Sequence, residues 1–393
     1  MLAGVGFFPH TVAGDKNFWI RMCPLLQERG ARLVALSIND RTGISEMAGG
    51  TKLFNFKRSF HLGDPSRFYS GDGTAIDYKH KHHRAKDSLE LLLTAMRNLR
   101  AIKSIVHSEG VQVVHFMDNT GPAMRFLKRR IPGVRFSNSQ LRYNGGQMYE
   151  SYIRSSMLGL DATVAYSESC RRQLIGAGIP EDRVSVIRWG VRPSETEPDP
   201  QMQQATRRRL GVREGESLIL WSGYILHIQR PDFQAAIAAA RRIAAKRDDC
   251  RFAFSFKPMC FDPEFKRLEA ERVSVYGDLA EFQNVLASAD FFFSPSTRRD
   301  ASVAPPLTWL EAMNYGVPIV TTAGSGVDEV VQHGRTGYLG DSMDELNGAF
   351  DAALGAPDRE AVRRNCREMV GERFSILKSA DEYVKLWESL AGR

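Results

Sequence analysis

Glu311 stands in a run that otherwise reads as buried, "APPLTWLEAMNYGVPIVTTAGSGVDEVV" across residues 304–331. Leu307, Leu310 and Met313 mark an apolar helical stripe, and Pro305 and Pro306 suit a first helical turn, where a missing N–H costs little. Glu311 falls on the flank of that stripe. Burying an unpaired carboxylate is expensive, so this one must meet water, a cation or the hydroxyl donors of a ligand. Ribose hydroxyls would satisfy it and so would solvent; the residues alone leave both open. Past the β-branched run Ile319 to Thr322, "AGSGVDEVV" leads us to expect a Gly-rich turn ahead of another helix. The free N–H groups and positive dipole end of such a helix suit an anion such as a diphosphate. The tract "KHKHHRAKD" at 79–87 resembles a metal site in composition only. It lacks the mixed, spaced ligands that zinc needs, and a basic surface stretch is expected.

Those residues need a scaffold, and strand-like and helix-like runs alternate along the chain in the pattern of a parallel α/β sheet. "LAGVGFF", "RLVALSI", "VQVVHFM", "ATVAYS" and "VSVIRWG" read as strands of a first series. "FWIRMCPLLQERG" and "SLELLLTAMRNLRAIKSIVHSEG" read as helices, the latter as one long helix, and "SESCRRQLIGAG" as a third capped by Ser167 or Ser169. Residues 46–87 look like an irregular excursion. The proline-rich "VRPSETEPDP" at 191–200 is a linker. A second series follows, with strands "SLILWSG", "RFAFSF", "VSVYG" and the continuously apolar "DFFFSPS", which suits a strand covered on both faces. We expect a Rossmann-like domain over 1–192, another over 193–372, and an amphipathic C-terminal helix over 373–393 packing back on the first. Ligands of such folds sit at the carboxyl ends of the strands, here the cleft between two domains.

The 393 residues are 43% hydrophobic and 25% charged, an ordinary composition for two globular domains. No apolar run is long enough to span a membrane, and "MLAGVGFFPH" lacks the features of a signal peptide. Five cysteines without a CxxC pair suggest reduced thiols and a cytoplasmic protein. Residues 1–195 hold 28 Lys+Arg against 17 Asp+Glu, whereas the remainder holds 25 against 29. A basic first half implies an anionic partner: a phosphorylated acceptor or the inner membrane face, touched peripherally. A merely solvated basic face explains the charge equally well. Scattered basic residues without a recognised motif argue against nucleic acid.

The ordered set "SPS", "APPLTWLEAMNYGVPIVTT" and "GVDEVVQHGRTGYL" resembles the donor-binding region of GT-B fold glycosyltransferases, especially retaining family 4 (glycosyl transferases group 1). That family shows PS, an E-x7-E ending in LEAM, G-x-P-V-V, a Gly-rich turn with E-[IV]-[IV], and G-x-T-G-x-L. The resemblance covers the second domain well and the first more loosely. It implies a GT-B fold, two Rossmann-like domains facing a cleft. Glu311 matches the second glutamate of E-x7-E, which contacts the nucleotide ribose. Gly324, Ser325, Gly326 and Val327 match the turn at the diphosphate, Gly14 the Gly-rich loop after the first strand, and Tyr276 lies near the base. His115 falls close to a catalytic-site histidine of the family, although a histidine within a strand is more often structural, and Asp118 beside it would serve as an acceptor-site carboxylate.

Two departures stand out. Val303 occupies the position of the first glutamate, beside the donor sugar, so sugar contacts must come from elsewhere; Asp300, Arg298 and Arg299 are the candidate substitutes, and ordinary loop charges explain them equally well. In the phosphate clamp G-R-x4-K-G, Gly223 matches, Tyr224 replaces the arginine, and Arg230 stands one residue from the lysine position. Arg230, with Lys257 as a second charge, would serve the diphosphate. The expectation is a metal-independent retaining transferase using a nucleotide-diphosphate sugar, with no metal and no further cofactor, acting on an anionic, glycan or small-molecule acceptor. A sugar-nucleotide epimerase or hydrolase, or a degenerate sugar-nucleotide-binding protein, are the alternatives that Val303 leaves room for.

Overall fold

A computed structural model of the chain describes residues 1–5, 14–39, 42–57, 82–117, 121–140, 142–143, 154–195, 197–223, 231–256, 263–277, 279–296, 302–303 and 305–392. Two sheets carry the fold. The first comprises β1 (Leu2–Val5), β2 (Val34–Asn39), β3 (Gly43–Met47), β4 (Thr51–Lys57), β5 (Val113–Phe116), β6 (Arg135–Gln140), β8 (Ala162–Ala165) and β9 (Val184–Val186). Their order is β3-β4-β2-β1-β5-β6-β8-β9, parallel except for the β3–β4 pair. The two-residue β7 (Arg142–Tyr143) lies outside it.

The second sheet comprises β10 (Ser217–Gly223), β11 (Cys250–Phe256), β12 (Val273–Tyr276), β13 (Phe291–Phe293), β15 (Ile319–Thr322) and β16 (Gly337–Gly340). It is parallel throughout, in the order β12-β11-β10-β13-β15-β16. Leu218, Ile219, Leu220, Phe252, Phe254, Phe291, Phe292 and Phe293 are all buried, as strands covered on both faces require. The irregular excursion expected for 46–87 is in part regular: β4 pairs with β2 from Lys52 to Lys57. Thr51 and Leu53, two apart, both turn inward, which is the period of a strand.

Helices of six to sixteen residues cover these sheets. The long helix expected from "SLELLLTAMRNLRAIKSIVHSEG" is two: α2 (His82–Arg97) and α3 (Leu99–Ser108). They break at Asn98, whose side-chain amide donates to the Thr94 carbonyl at 2.8 Å, a local bond that competes with the helical ladder. Before them lies α1 (Gly14–Glu28), and after them α4 (Pro122–Arg130) and α5 (Glu168–Gly176), the last capped by the Ser167 hydroxyl accepting from Cys170 N. Strand β6 and helix α4 have no counterpart in the strand and helix pattern read from the sequence.

The chain passes between the halves twice, and the two passages run side by side. Val191 N donates to the Phe374 carbonyl and Ile376 N to the Val191 carbonyl, both at 3.0 Å. Gly190 is required here: a Cβ would stand 2.1 Å from the Phe374 oxygen. The C-terminal helix, Ile376–Ala391, then lies against α1 and β5 of the first half. Its Tyr383 ring packs 4.9 Å from Trp19, and Trp387 covers Val113 and Ala162. Among the described residues no helix is long and apolar enough to cross a membrane.

Candidate functional site

The helix bearing Glu311 spans Leu307–Asn314 and follows Pro306. Leu307, Trp309, Leu310, Ala312 and Met313 are buried, so the apolar face is fixed and Glu311 is left on its edge. Its side chain is 17% exposed, and Oε1 accepts from Arg21 Nη1 at 2.9 Å. Arg21 belongs to α1, so the carboxylate meets a cation supplied by the other half of the molecule. Burial, with the Glu311 charge adding to it, pushes the neighbouring Tyr315 phenol above its ordinary range. At the helix end Asn314 grips the linker, accepting from Ser194 N at 2.9 Å and donating to the Arg192 carbonyl at 3.0 Å.

After β15 the chain turns at Gly324–Gly326. Among the described residues the N–H groups of Gly324, Ser325 and Gly326 make no hydrogen bond, whereas Val327 N donates to the Gly324 carbonyl at 3.2 Å. Val327 therefore does not offer its N–H to a ligand. The helix expected after this turn is a single 3-10 turn, Val327–Glu329, ended by Val330 outside helical geometry. Its dipole is accordingly small, and the turn's attraction for an anion rests on free N–H groups. The side chain of Glu329 is drawn away instead, accepting from Glu168 N at 3.0 Å and Ser169 N at 2.8 Å at the start of α5. Ser325 and Ser169 hydroxyls are 2.7 Å apart.

Gly223 ends β10 and Tyr276 ends β12, which puts both on the strand ends that Glu311 and the turn share. A Cβ at Gly223 would meet the Trp221 ring at 2.6 Å, a packing reason for glycine. Tyr276 carries Lys266 Nζ 5.5 Å from its ring centroid. Gly14 opens α1. Asp118, Arg230, Lys257 and Asp300 lie outside the described residues.

His115 is a correction. Its ring is 1% exposed, with Nδ1 and Nε2 each 2.8 Å from a serine hydroxyl, Ser137 and Ser139. Trp19, Tyr383 and Trp387 pack around it. Burial pushes the imidazole down to about 3, so it stays neutral and holds two strands together, with neither nitrogen left for a substrate. Val303 has a backbone role: with Ser302 it forms β14, antiparallel to Arg142 and Tyr143 of β7 in the first half.

The structure adds Arg21, Ser169 and Glu329 to the residues that the sequence points to. Glu329 carries the same signal as Glu311, because a carboxylate before the buried pair Val330 and Val331 also needs a partner. Arg21 is a lone cation within the mostly buried stretch Phe18 to Leu26.

Comparison with known proteins fits this arrangement. The glycosyl transferases group 1 family matches residues 216–355, and glycosyltransferase family 4 matches residues 63–195. The sucrose-phosphate synthase of Thermosynechococcus elongatus superposes over 100% of this chain and 99% of its own, with TM-score 0.72 at 15% identity. The chain belongs to the GT-B glycosyltransferases of the family 4 kind. Anabaena HepE, solved in complex with UDP and glucose, shares that GT-B fold over 99% of both chains, with TM-score 0.70 at 14% identity. N-acetyl-alpha-D-glucosaminyl L-malate synthase of Bacillus anthracis is 28% identical over 188 residues, 46% of this chain and 48% of that enzyme. The chain spans about half the length of the curated relatives it matches.

Proposed function

We propose that the chain transfers a glycosyl group from a nucleoside-diphosphate sugar to an acceptor, with retention of configuration and without a metal ion. One observation carries the reading: the half-buried carboxylate of Glu311 and the free N–H groups of residues 324–326 follow strands of one sheet, and both face the other half. HepE was solved with UDP and glucose, which supports this class of donor. Glu311 keeps Oε2 for ribose hydroxyls while Oε1 is held by Arg21. The N–H groups of Gly324, Ser325 and Gly326, with Arg230 and Lys257, offset charge growing on the leaving diphosphate. Tyr276 borders the base. Apposition of the halves excludes water and favours transfer over hydrolysis. Asp300 and Asp118 are assigned to the sugar and the acceptor.

The acceptor sits against the basic first half, taken as 1–192, with donor binding in 193–372 and the C-terminal helix, 373–393, bracing the first half. A relative named for L-malate, itself an anion, supports an anionic acceptor. The same charge fits a cytoplasmic protein that touches an anionic membrane surface peripherally. Removing charged hydrogen bonds to ribose should cost Glu311→Ala about 100-fold in kcat/KM. A thermal-shift panel of UDP-, GDP-, ADP- and dTDP-sugars identifies the donor, and the product's anomeric NMR coupling reads retention. Transfer by Glu311→Ala at the unmodified rate would sink the site assignment. Free sugar released without acceptor would point to a hydrolase.

A further inference from the structure

The turn at 324–326 is held by the opposite half of the molecule. Helix α5 begins with backbone N–H groups that no preceding turn can satisfy. Its own cap, Ser167, takes Cys170 N at 3.1 Å, and the Glu329 carboxylate, from beyond the linker, takes Glu168 N and Ser169 N. The Glu329 side chain is 12% exposed and lies 3.8 Å from the Arg188 guanidinium, which is also 3.5 Å from Glu168. Ser169 adds its bond to Ser325. Gly326 is at φ +79°, and a Cβ there would lie 3.2 Å from the Ser169 Cβ, so turn and helix are in direct contact.

This arrangement has two effects. A negative group on the positive end of α5 is favourable, and it fills the N–H groups that would otherwise draw an anionic donor away from the turn. It also ties the turn's position to that of the first half. We propose that Glu329 is a positioning residue: by capping α5 across the cleft it sets the free N–H groups of 324–326, so that diphosphate binding and apposition of the halves are coupled. The diphosphate in this statement rests on the proposed function; the cap does not. Coupling is reciprocal, so a nucleotide on the turn strengthens the cap as the cap strengthens nucleotide binding.

Amide hydrogen exchange and nucleotide titration test this on the full chain. In Glu329→Ala the amides of Glu168 and Ser169 should exchange at least about tenfold faster, UDP, GDP or ADP should bind about tenfold more weakly, and the donor KM should rise more than kcat falls. Glu329→Gln, with one acceptor oxygen instead of two, should fall between. Ser169→Ala, which removes only the hydroxyl bond to Ser325, should weaken binding about two- to threefold and guards against a misfolded Glu329 variant. Nucleotide affinity within twofold of the unmodified protein in Glu329→Ala would overturn the proposal. Should the unmodified protein bind none of the three nucleotides, the diphosphate reading fails separately. Exchange at 324–326 then decides the positioning role: faster exchange in Glu329→Ala supports it, and unchanged exchange overturns it.

Discussion

Strands β5 and β6 occupy the same places in the first sheet as β13 and β15 in the second, the fourth and fifth strands of a 3-2-1-4-5-6 order. In the second sheet they read Phe-Phe-Phe and Ile-Val-Thr-Thr. In the first they read Val-Val-His-Phe and Arg-Phe-Ser-Asn-Ser-Gln, and Ser137, Asn138, Ser139 and Gln140 are all buried. One centre is held by apolar packing. The other is held by a hydrogen-bonded chain that runs from Ser137 through His115 and Ser139 to Tyr383 of the C-terminal helix. The same topology therefore tolerates two kinds of interior, the polar one stabilised where Ser137 and Ser139 find partners, although the buried Asn138 amide finds none among the described residues. Under the function proposed above the apolar sheet carries the donor side, while the polar one anchors the helix that returns from the end of the chain.

The largest expected effect tests the apolar centre. Phe293 is fully buried, with its ring 5.2 Å from Phe350 and 5.8 Å from Phe252. Phe293→Ala leaves a cavity among these rings and should cost about 3–5 kcal/mol in urea unfolding, with the same loss at pH 5 and pH 8. A loss that depended on pH would mean that the second sheet hides a titrating network too.

The polar centre should behave in the opposite way. His115→Ala strands the Ser137 hydroxyl and opens a smaller void, a loss of about 2–3 kcal/mol at neutral pH. The sign of its pH dependence follows from burial. The folded imidazole titrates near 3 and the unfolded one near 6.5, so between those values only the unfolded chain takes up the proton. Stability is therefore level above about 6.5 and falls steadily as pH drops from there towards 3. His115→Ala should remove that component of the acid slope, while Phe293→Ala leaves it intact. Urea midpoints for the three proteins at pH 7 and pH 5 decide the matter. Tyr383→Phe, which deletes the hydroxyl bonded to Ser139 and Tyr166, should cost about 1 kcal/mol at both values.

This contrast also explains what could be read without a structure. The second sheet was legible because its strands are continuous apolar runs between turn residues, and the motif region placed Glu311 on a helix edge. Strand β6 was hidden by its own serines and asparagine, which look like loop until the imidazole and tyrosine partners of the two serines, distant in sequence, are brought beside them. His115 misled for the same reason: a histidine near a strand end has a chemical look that only its two serine partners cancel. Glu329 was visible as a motif letter, yet its role depends on two N–H groups some 160 residues earlier in the chain, at 168 and 169. Hydrophobic period reports burial of apolar groups; it carries no signal for polar groups satisfied at long range.

The smallest effect lies between the two sheets. Arg21 and Glu311 form an ion pair whose arginine side chain is 49% exposed, and pairs of that kind contribute about 0.2–1 kcal/mol. Arg21→Ala and Glu311→Ala should each lower stability by no more than about 1 kcal/mol. A double-mutant cycle should return a coupling in the same range that fades in half-molar salt, since an exposed pair is screened. Stability thus barely separates the two substitutions. Sugar transfer should separate them clearly: the lost ribose carboxylate of Glu311→Ala is costly for kcat/KM, whereas Arg21→Ala leaves that carboxylate in place with both oxygens open. Equal losses of kcat/KM in the two variants would show that the pair acts as one unit. The cross-cleft contact would then belong to the donor site itself, and the division between a donor sheet and an anchoring sheet would have to be redrawn.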